Sequence, residues 1–331
     1  MKVLVLFIAM VCAIACTTTE TILDFNLVEG SINKLDSAYV IFQEQAYRFP
    51  LDAQGKGTLK MNIKEDGFAI LVYGKLSTNI YLKQGNTLKV IWDKEDWRGG
   101  KMQVVSDDGG INEYIRLNIE KSFKKATECS FTLEEDSFMD KVEQTIRELS
   151  AGIDSTNFAP EIKDILKASS KYEVLYWIYK YPRFHNFGKR MSQEEYLAFK
   201  RFNEYMFDKF EAHPEYLCLT AYREYAVNWF YELMQLRCFG EPYILKKEKA
   251  CQYILEHVKN AELREYALAE TITPYIKSYG IEGAENIIEC FRTNVKNPMY
   301  VNLFESYYTI WKQISPGSFA CDFRYSDVDG K

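Results

Sequence analysis

Between Ser106 and Gly110 the hydrophobic pattern of the chain changes period, and that change constrains the fold more than any single motif. From Thr21 to about Ser106 apolar residues recur at every second position, as half-buried strands require. Leu23, Phe25 and Leu27 alternate with Asp24 and Asn26; Leu59, Met61 and Ile63 alternate with Lys60 and Asn62; Leu88, Val90 and Trp92 alternate with Lys89 and Ile91. Turn residues separate these runs at Glu29-Gly30, Gln54-Gly55-Lys56-Gly57, Glu65-Asp66-Gly67 and Gln84-Gly85-Asn86. Six to eight short strands so spaced predict an antiparallel β-sandwich over residues 21–107.

From Ile111 to about Gln313 the period is that of helices. Helices are expected over 112–126, 133–150, 160–180, 193–211, 215–237, 243–258, 262–279, 281–295 and 298–313, giving an α-helical bundle domain over 111–314. Thr132-Leu133-Glu134-Glu135 and Ser192-Gln193-Glu194-Glu195 have the form of capping boxes. Pro160, Pro214, Pro242 and Pro298 suit first helical turns, and Gly280 suits a helix end. No repeat of fixed period accompanies the helix pairs. Junctions are expected at Ser106-Asp107-Asp108-Gly109-Gly110 and at Ser315-Pro316-Gly317.

Residues 1–15 carry one basic residue, Lys2, and then an apolar run from Val3 to Ala15, the layout of a signal peptide. The run is too short for a lasting membrane span, which needs ~20 apolar residues. Ala13-Ile14-Ala15-Cys16 resembles a bacterial lipobox, with Cys16 as the lipidated residue and 16–20 as the linker to the anchor. Ala13 departs from the usual Leu, and Cys12 follows the bulky Val11. Export, and attachment to a membrane through acylated Cys16, are the expectations.

The last residues, Gly317-Ser318-Phe319-Ala320-Cys321-Asp322-Phe323-Arg324-Tyr325-Ser326-Asp327-Val328-Asp329-Gly330-Lys331, resemble the first strands of thioredoxin-like proteins of the TlpA/ResA and AhpC/TSA type. Ile80-Tyr81-Leu82-Lys83-Gln84-Gly85-Asn86-Thr87-Leu88-Lys89-Val90 is similar to the β-module that precedes such domains in exported lipoproteins of anaerobic Gram-negative bacteria. Gln84 and Asn86 stand there where Pro and Asp are common. The resemblance implies an α+β multidomain protein: a sandwich, a helical bundle and, over 315–331, the opening of a thioredoxin-like domain. It implies thiol–disulfide exchange in the cell envelope or periplasm for a complete relative. No Cys-x-x-Cys occurs in these 331 residues. The expectation is therefore an accessory or recognition region without oxidoreductase activity of its own. The alternative is a non-catalytic envelope module that binds a protein, peptide or glycan.

Of eight cysteines, six follow the lipobox: Cys129, Cys218, Cys238, Cys251, Cys290 and Cys321. They are scattered, so free structural thiols, at least one disulfide and a redox role all stay open, and spacing does not define pairing. Cys321 stands where the resemblance has Pro, which makes it a redox candidate. His185, His213 and His257 lack partners at metal-ligand spacing; His185 is expected in a loop over 181–188. The acidic Glu134, Glu135 and Asp136 suit a helix start, and Asp327-Val328-Asp329-Gly330 suits a hairpin. The aromatic runs Tyr172–Tyr181 and Tyr222–Tyr231 read as helical core, with a ligand groove as the alternative. No phosphate loop, nucleophile elbow or zincin motif is present, and no cofactor or metal is expected. A net charge of −6 without a basic face argues against a nucleic-acid partner.

Overall fold

The computed structural model describes residues 20–28, 35–74, 76–93, 101–187, 191–208, 210 and 212–314. The signal peptide, Cys16, the 315–331 segment and Cys321 lie outside the described residues. The described residues are α+β: eight strands in two four-stranded sheets, followed by helices. The strands are β1 (Thr21–Leu27), β2 (Ser37–Phe42), β3 (Gln45–Pro50), β4 (Lys56–Met61), β5 (Gly67–Tyr73), β6 (Leu76–Leu82), β7 (Thr87–Trp92) and β8 (Gln103–Val105). The helices are α1 (Ile111–Thr127), α2 (Glu135–Asp154), α3 (Pro160–His185), α4 (Gln193–Leu197), α5 (Lys200–Asp208), α6 (Thr220–Arg237), α7 (Tyr243–His257), α8 (Ala261–Tyr279), α9 (Glu285–Asn294) and α10 (Pro298–Ile314).

Two compact units divide the described chain. The first takes residues up to Ile178 together with Glu215–Arg223; the second takes Tyr179–Pro214 and the chain from Glu224. The boundaries fall inside α3, within the 3₁₀ turn at Pro214–Tyr216 and inside α6, while the change from strand to helix falls between β8 and α1.

In the first unit the sheets run β4-β1-β7-β8 and β3-β2-β5-β6. Their alternating apolar residues share one core, which includes Leu23, Phe25, Val40, Phe49, Leu71, Ile80, Val90 and Trp92. Phe25 sits between the layers: its ring centroid lies 6.0 Å from Phe49, 6.1 Å from Tyr73 and 6.4 Å from Trp92. Complete burial of such a side chain is worth roughly 2–3 kcal/mol. One pairing corrects the all-antiparallel expectation. β1 and β7 run parallel, from Ile22 opposite Thr87 to Leu27 opposite Trp92. Both strands alternate with period two, and alternation does not encode direction. β5 and β6 lose the alternation, because Phe68, Ile70, Asn79 and Tyr81 are buried as well as their in-facing neighbours. Both faces of these strands are covered, and α1 packs on β6.

Asn112 makes that packing specific. Its side-chain oxygen accepts from the Tyr81 N–H at 2.8 Å, and its Nδ2 donates to the Tyr81 carbonyl at 2.7 Å. Asp108 in turn accepts from the backbone N–H of Gly110 and of Ile111, both at 2.9 Å, so the first turn of α1 is capped from two residues upstream.

Local signals explain the remaining differences. The Ser192 capping box is present: Glu195 N–H donates to Ser192 Oγ at 3.2 Å, and Ser192 N–H to Glu195 Oε2 at 2.7 Å. Thr132 is not a cap. Its hydroxyl is engaged with Ser130 Oγ at 2.7 Å in the preceding turn, and Glu134 stands at the N-cap of α2. The expected helix 193–211 is two helices, broken at Ala198–Phe199; the expected helix 215–237 begins at Thr220, after a single 3₁₀ turn at Pro214–Tyr216. α3 continues through Pro182, so His185 ends that helix rather than lying in a loop.

In the second unit α8 is the central element. Ten of its 19 residues are buried, and it packs against α7, α9 and α10. Gly280 ends it with a φ of 89°, where a side chain would also press on Trp311. Among the described residues no helix is long and apolar enough to cross a membrane.

Replacing Asn112 by Ala leaves the buried Tyr81 N–H and carbonyl without these partners. Urea unfolding of Asn112→Ala is expected to show a loss of about 3 kcal/mol. The exposed Asn62→Ala serves as control and should stay within about 0.5 kcal/mol of the parent.

Candidate functional site: a tyrosine-walled groove with cationic lining

Helix periodicity brings together residues that are far apart in the sequence. Along α6, Asn228, Tyr231 and Gln235 recur at three- and four-residue spacing; along α7, Tyr243, Lys247 and Ala250 do the same; along α8, Glu270 and Pro274 are one turn apart. These faces enclose a cleft of about 300 Å³ in the second unit, also lined by Phe230, Met234 and Thr271. That is the lower end of the size range for small-ligand sites. A second hollow continues from it across Gln235 and Lys246 to Arg183, Tyr196 and Phe239. Lys246 Nζ donates to Gln235 Oε1 at 2.8 Å, so the two hollows share one hydrogen-bonded pair as their divide.

Lys247 dominates the first hollow. Its Nζ lies 5.7 Å from the centroid of the Tyr231 ring and 5.2 Å from that of Tyr243, within cation–π range of both. It makes no ion pair with any described residue. Burial pushes the ammonium below the usual lysine range. Burial also pushes the Tyr243 hydroxyl up to about 12, with the neighbouring Tyr231, Tyr279 and Tyr275 acting in the same direction. Tyr243 is therefore a neutral hydrogen-bonding group at physiological pH.

The second hollow is bounded by an ion pair of unequal exposure. Arg183 Nη2 stands 3.6 Å from Glu232 Oε1; the arginine side chain is 53% exposed and the glutamate 9%. Burial raises the Glu232 carboxyl to about 7, against the smaller opposing pull of Arg183 and Lys180. Glu241, on the rim, is paired with Lys249 at 2.5 Å.

The residues singled out in the sequence do not converge here. His185 packs its ring against Tyr181 and Phe199, at centroid distances of 5.0 and 5.9 Å. His257 stacks on Tyr253 at 3.9 Å. Among the described residues no group of three or more His, Cys, Asp or Glu side chains could hold a metal ion. Glu135 and Asp136 occupy the first turn of α2, where the helix dipole accounts for them. Of the aromatic runs, Tyr172, Tyr179, Tyr181, Tyr222 and Tyr225 are core, whereas Tyr231 is half-buried and reaches the groove. Cys129, Cys218, Cys238, Cys251 and Cys290 are all free thiols. The signal that sequence reading passed over was Lys247 itself, a charge set within the apolar stripe Tyr243, Ala250, Cys251 and Ile254 of an amphipathic helix.

Glu232 gives the unit a pH dependence whose sign follows from linkage. A carboxyl whose folded pKa lies above its unfolded value binds more protons when folded. Its contribution is therefore complete below about 4.5 and is lost as pH rises from about 4.5 to about 7. The size is at most about 3 kcal/mol. Glu232→Gln, neutral at every pH, should flatten this part of the stability profile in denaturant unfolding at several pH values. An unchanged slope in the variant would assign the effect to other groups.

Compared with known proteins, the chain matches no family model, no curated protein and no solved structure.

Proposed function

We propose that this protein is a non-catalytic recognition module whose second unit holds a carboxylate-bearing ligand in the groove between Arg183 and Lys247. The observation that carries the reading is Lys247: a half-buried ammonium, held between two tyrosine rings, with no carboxylate against it among the described residues. A charge withdrawn from water without a counter-ion is unfavourable, and an incoming carboxylate removes that penalty. Tyr231, Tyr243 and Tyr196 supply flat apolar faces with polar tips, suited to a sugar ring or a peptide side chain beside the acidic group. In a chain of net charge −6, a groove where Arg183, Lys246 and Lys247 face Glu241 and Glu270 has, among the described residues, a small local excess of positive charge, centred on the unpaired Lys247, that favours acidic ligands.

The proposal includes the reading of the termini. The protein is exported, anchored to a membrane through acylated Cys16, and meets its partner in the cell envelope. The segment from Gly317 opens a thioredoxin-like domain, for which residues 21–314 act as the accessory and recognition region. The lipobox-like Ala13-Ile14-Ala15-Cys16 and the Phe319-Ala320-Cys321-Asp322-Phe323 stretch support these parts of the proposal.

Calorimetric titration with an oligoglutamate peptide and with an oligogalacturonate tests the groove and separates peptide from glycan. Binding of one probe is expected, weakening with added salt. Lys247→Met, which keeps the aliphatic stem and removes the charge, should raise Kd about tenfold, equivalent to ~1.4 kcal/mol. Failure of both probes to bind, or an unchanged Kd in the variant, would overturn the reading.

A further inference from the structure

We propose that Cys251 and Cys290 form an oxidisable dithiol that closes to an intramolecular disulfide and cross-links α7 to α9. The two residues are 39 positions apart in sequence, yet α7 and α9 pack on one another and the two thiols act on each other across the contact. The alignment of the helices is fixed one turn earlier, where Asn286 Nδ2 donates to Glu248 Oε1 at 2.9 Å. Cys251 follows Glu248 by three residues and Cys290 follows Asn286 by four, so both contacts fall on one face of each helix. Asn294, a turn beyond Cys290 on α9, donates its Nδ2 to the Cys290 carbonyl at 2.9 Å and stands 4.0 Å from the sulfur.

The environments of the two thiols differ in the way that sequential exchange requires. Cys290 is half-buried, and the bond from Cys251 lowers its thiol below the usual range. Cys251 is 3% exposed; its bond to Cys290, and then burial, raise its thiol well above that range. Cys290, the sulfur that solvent and a reagent can reach, is therefore the attacking one, and the enclosed Cys251 the resolving one. With a small-molecule disulfide as oxidant, the Cys290 thiolate attacks one sulfur of the reagent and expels the other as a thiolate, leaving a mixed disulfide. Cys251 then releases its proton to solvent and attacks the Cys290 sulfur, expelling the second thiolate. The protein dithiol is oxidised by two electrons, the reagent is reduced to two thiols, and the two protons lost by the cysteines are taken up by the expelled thiolates.

The test is incubation of the reduced full-length protein with oxidised glutathione, followed by alkylation and peptide mapping. A cross-linked peptide pair carrying Cys251 and Cys290 is expected, with a rise in Tm that dithiothreitol reverses. Cys251→Ser should leave Cys290 as a stable glutathione adduct, whereas Cys290→Ser should leave Cys251 unmodified. Absence of the cross-link from the native protein, or its formation only after denaturation, would overturn the proposal. An adduct on Cys251 in Cys290→Ser equal to that on Cys290 in Cys251→Ser would overturn the assigned order of attack.

Discussion

The reciprocal bond between the Asn112 carboxamide and the backbone of Tyr81 is the constraint on which the first unit depends. β6 is the outermost strand of its sheet, so the outward N–H and carbonyl of Tyr81 have no ladder partner. A carboxamide carries one acceptor and two donors in a fixed plane, and it can satisfy both groups as a neighbouring strand would. Asp108 joins the arrangement by capping α1 and accepting from the Asn112 backbone N–H at 3.3 Å. Asn79, two residues before Tyr81, does similar work at the start of α6: its Nδ2 donates to the Cys218 carbonyl at 2.7 Å, and its Oδ1 accepts from the Thr220 N–H at 3.2 Å. One asparagine in the first turn of α1 and one on β6 thus tie the edge strand to two helix starts.

This dependence also explains which parts of the fold were legible in the sequence. The change of period between Ser106 and Gly110 located the change from strand to helix, because burial of one face imposes period two on strands and 3.6 on helices. It said nothing of strand direction, so the parallel pairing of β1 with β7 was invisible. The β2–β3 turn was hidden for a different reason. Gln43 and Glu44 both take positive φ, 50° and 55°, in a turn that ordinarily calls for Asn or Gly. Glu44 accepts from Arg223 Nη2 at 2.6 Å, and this tertiary contact holds a conformation that local sequence disfavours. Thr132 failed as a cap because Ser130, two residues earlier, took its hydroxyl.

The groove was less legible than the fold. Tyr231, Tyr243 and Lys247 each sit on a predictable helix face, but their convergence depends on which helices pack together, and periodicity within one helix contains no such information. A lysine inside an apolar stripe is a visible irregularity; its meaning depends on the two rings that flank it. The cysteines show the same limit. Spacings of 13, 39 and 52 residues among Cys238, Cys251 and Cys290 rank no pairing above another. Only the alignment of α7 with α9, held by Glu248 and Asn286, selects one.

Groove and dithiol are joined through α7. Lys247 and Cys251 are one turn apart on it, and the lysine charge draws the Cys251 thiol down against the stronger upward effects of Cys290 and burial. In the low-dielectric setting of a packed helix pair such a charge acts with little screening. A carboxylate bound at Lys247, as proposed, would offset that charge and make the Cys251 thiolate harder to form, and so would slow the resolving step of the proposed disulfide closure. Linkage acts in the reverse direction as well: a thiolate at Cys251 favours the charged form of Lys247. An acidic ligand and an oxidant would therefore be read by one helical turn, the first through a cation held between rings and the second through a sulfur held beside its partner.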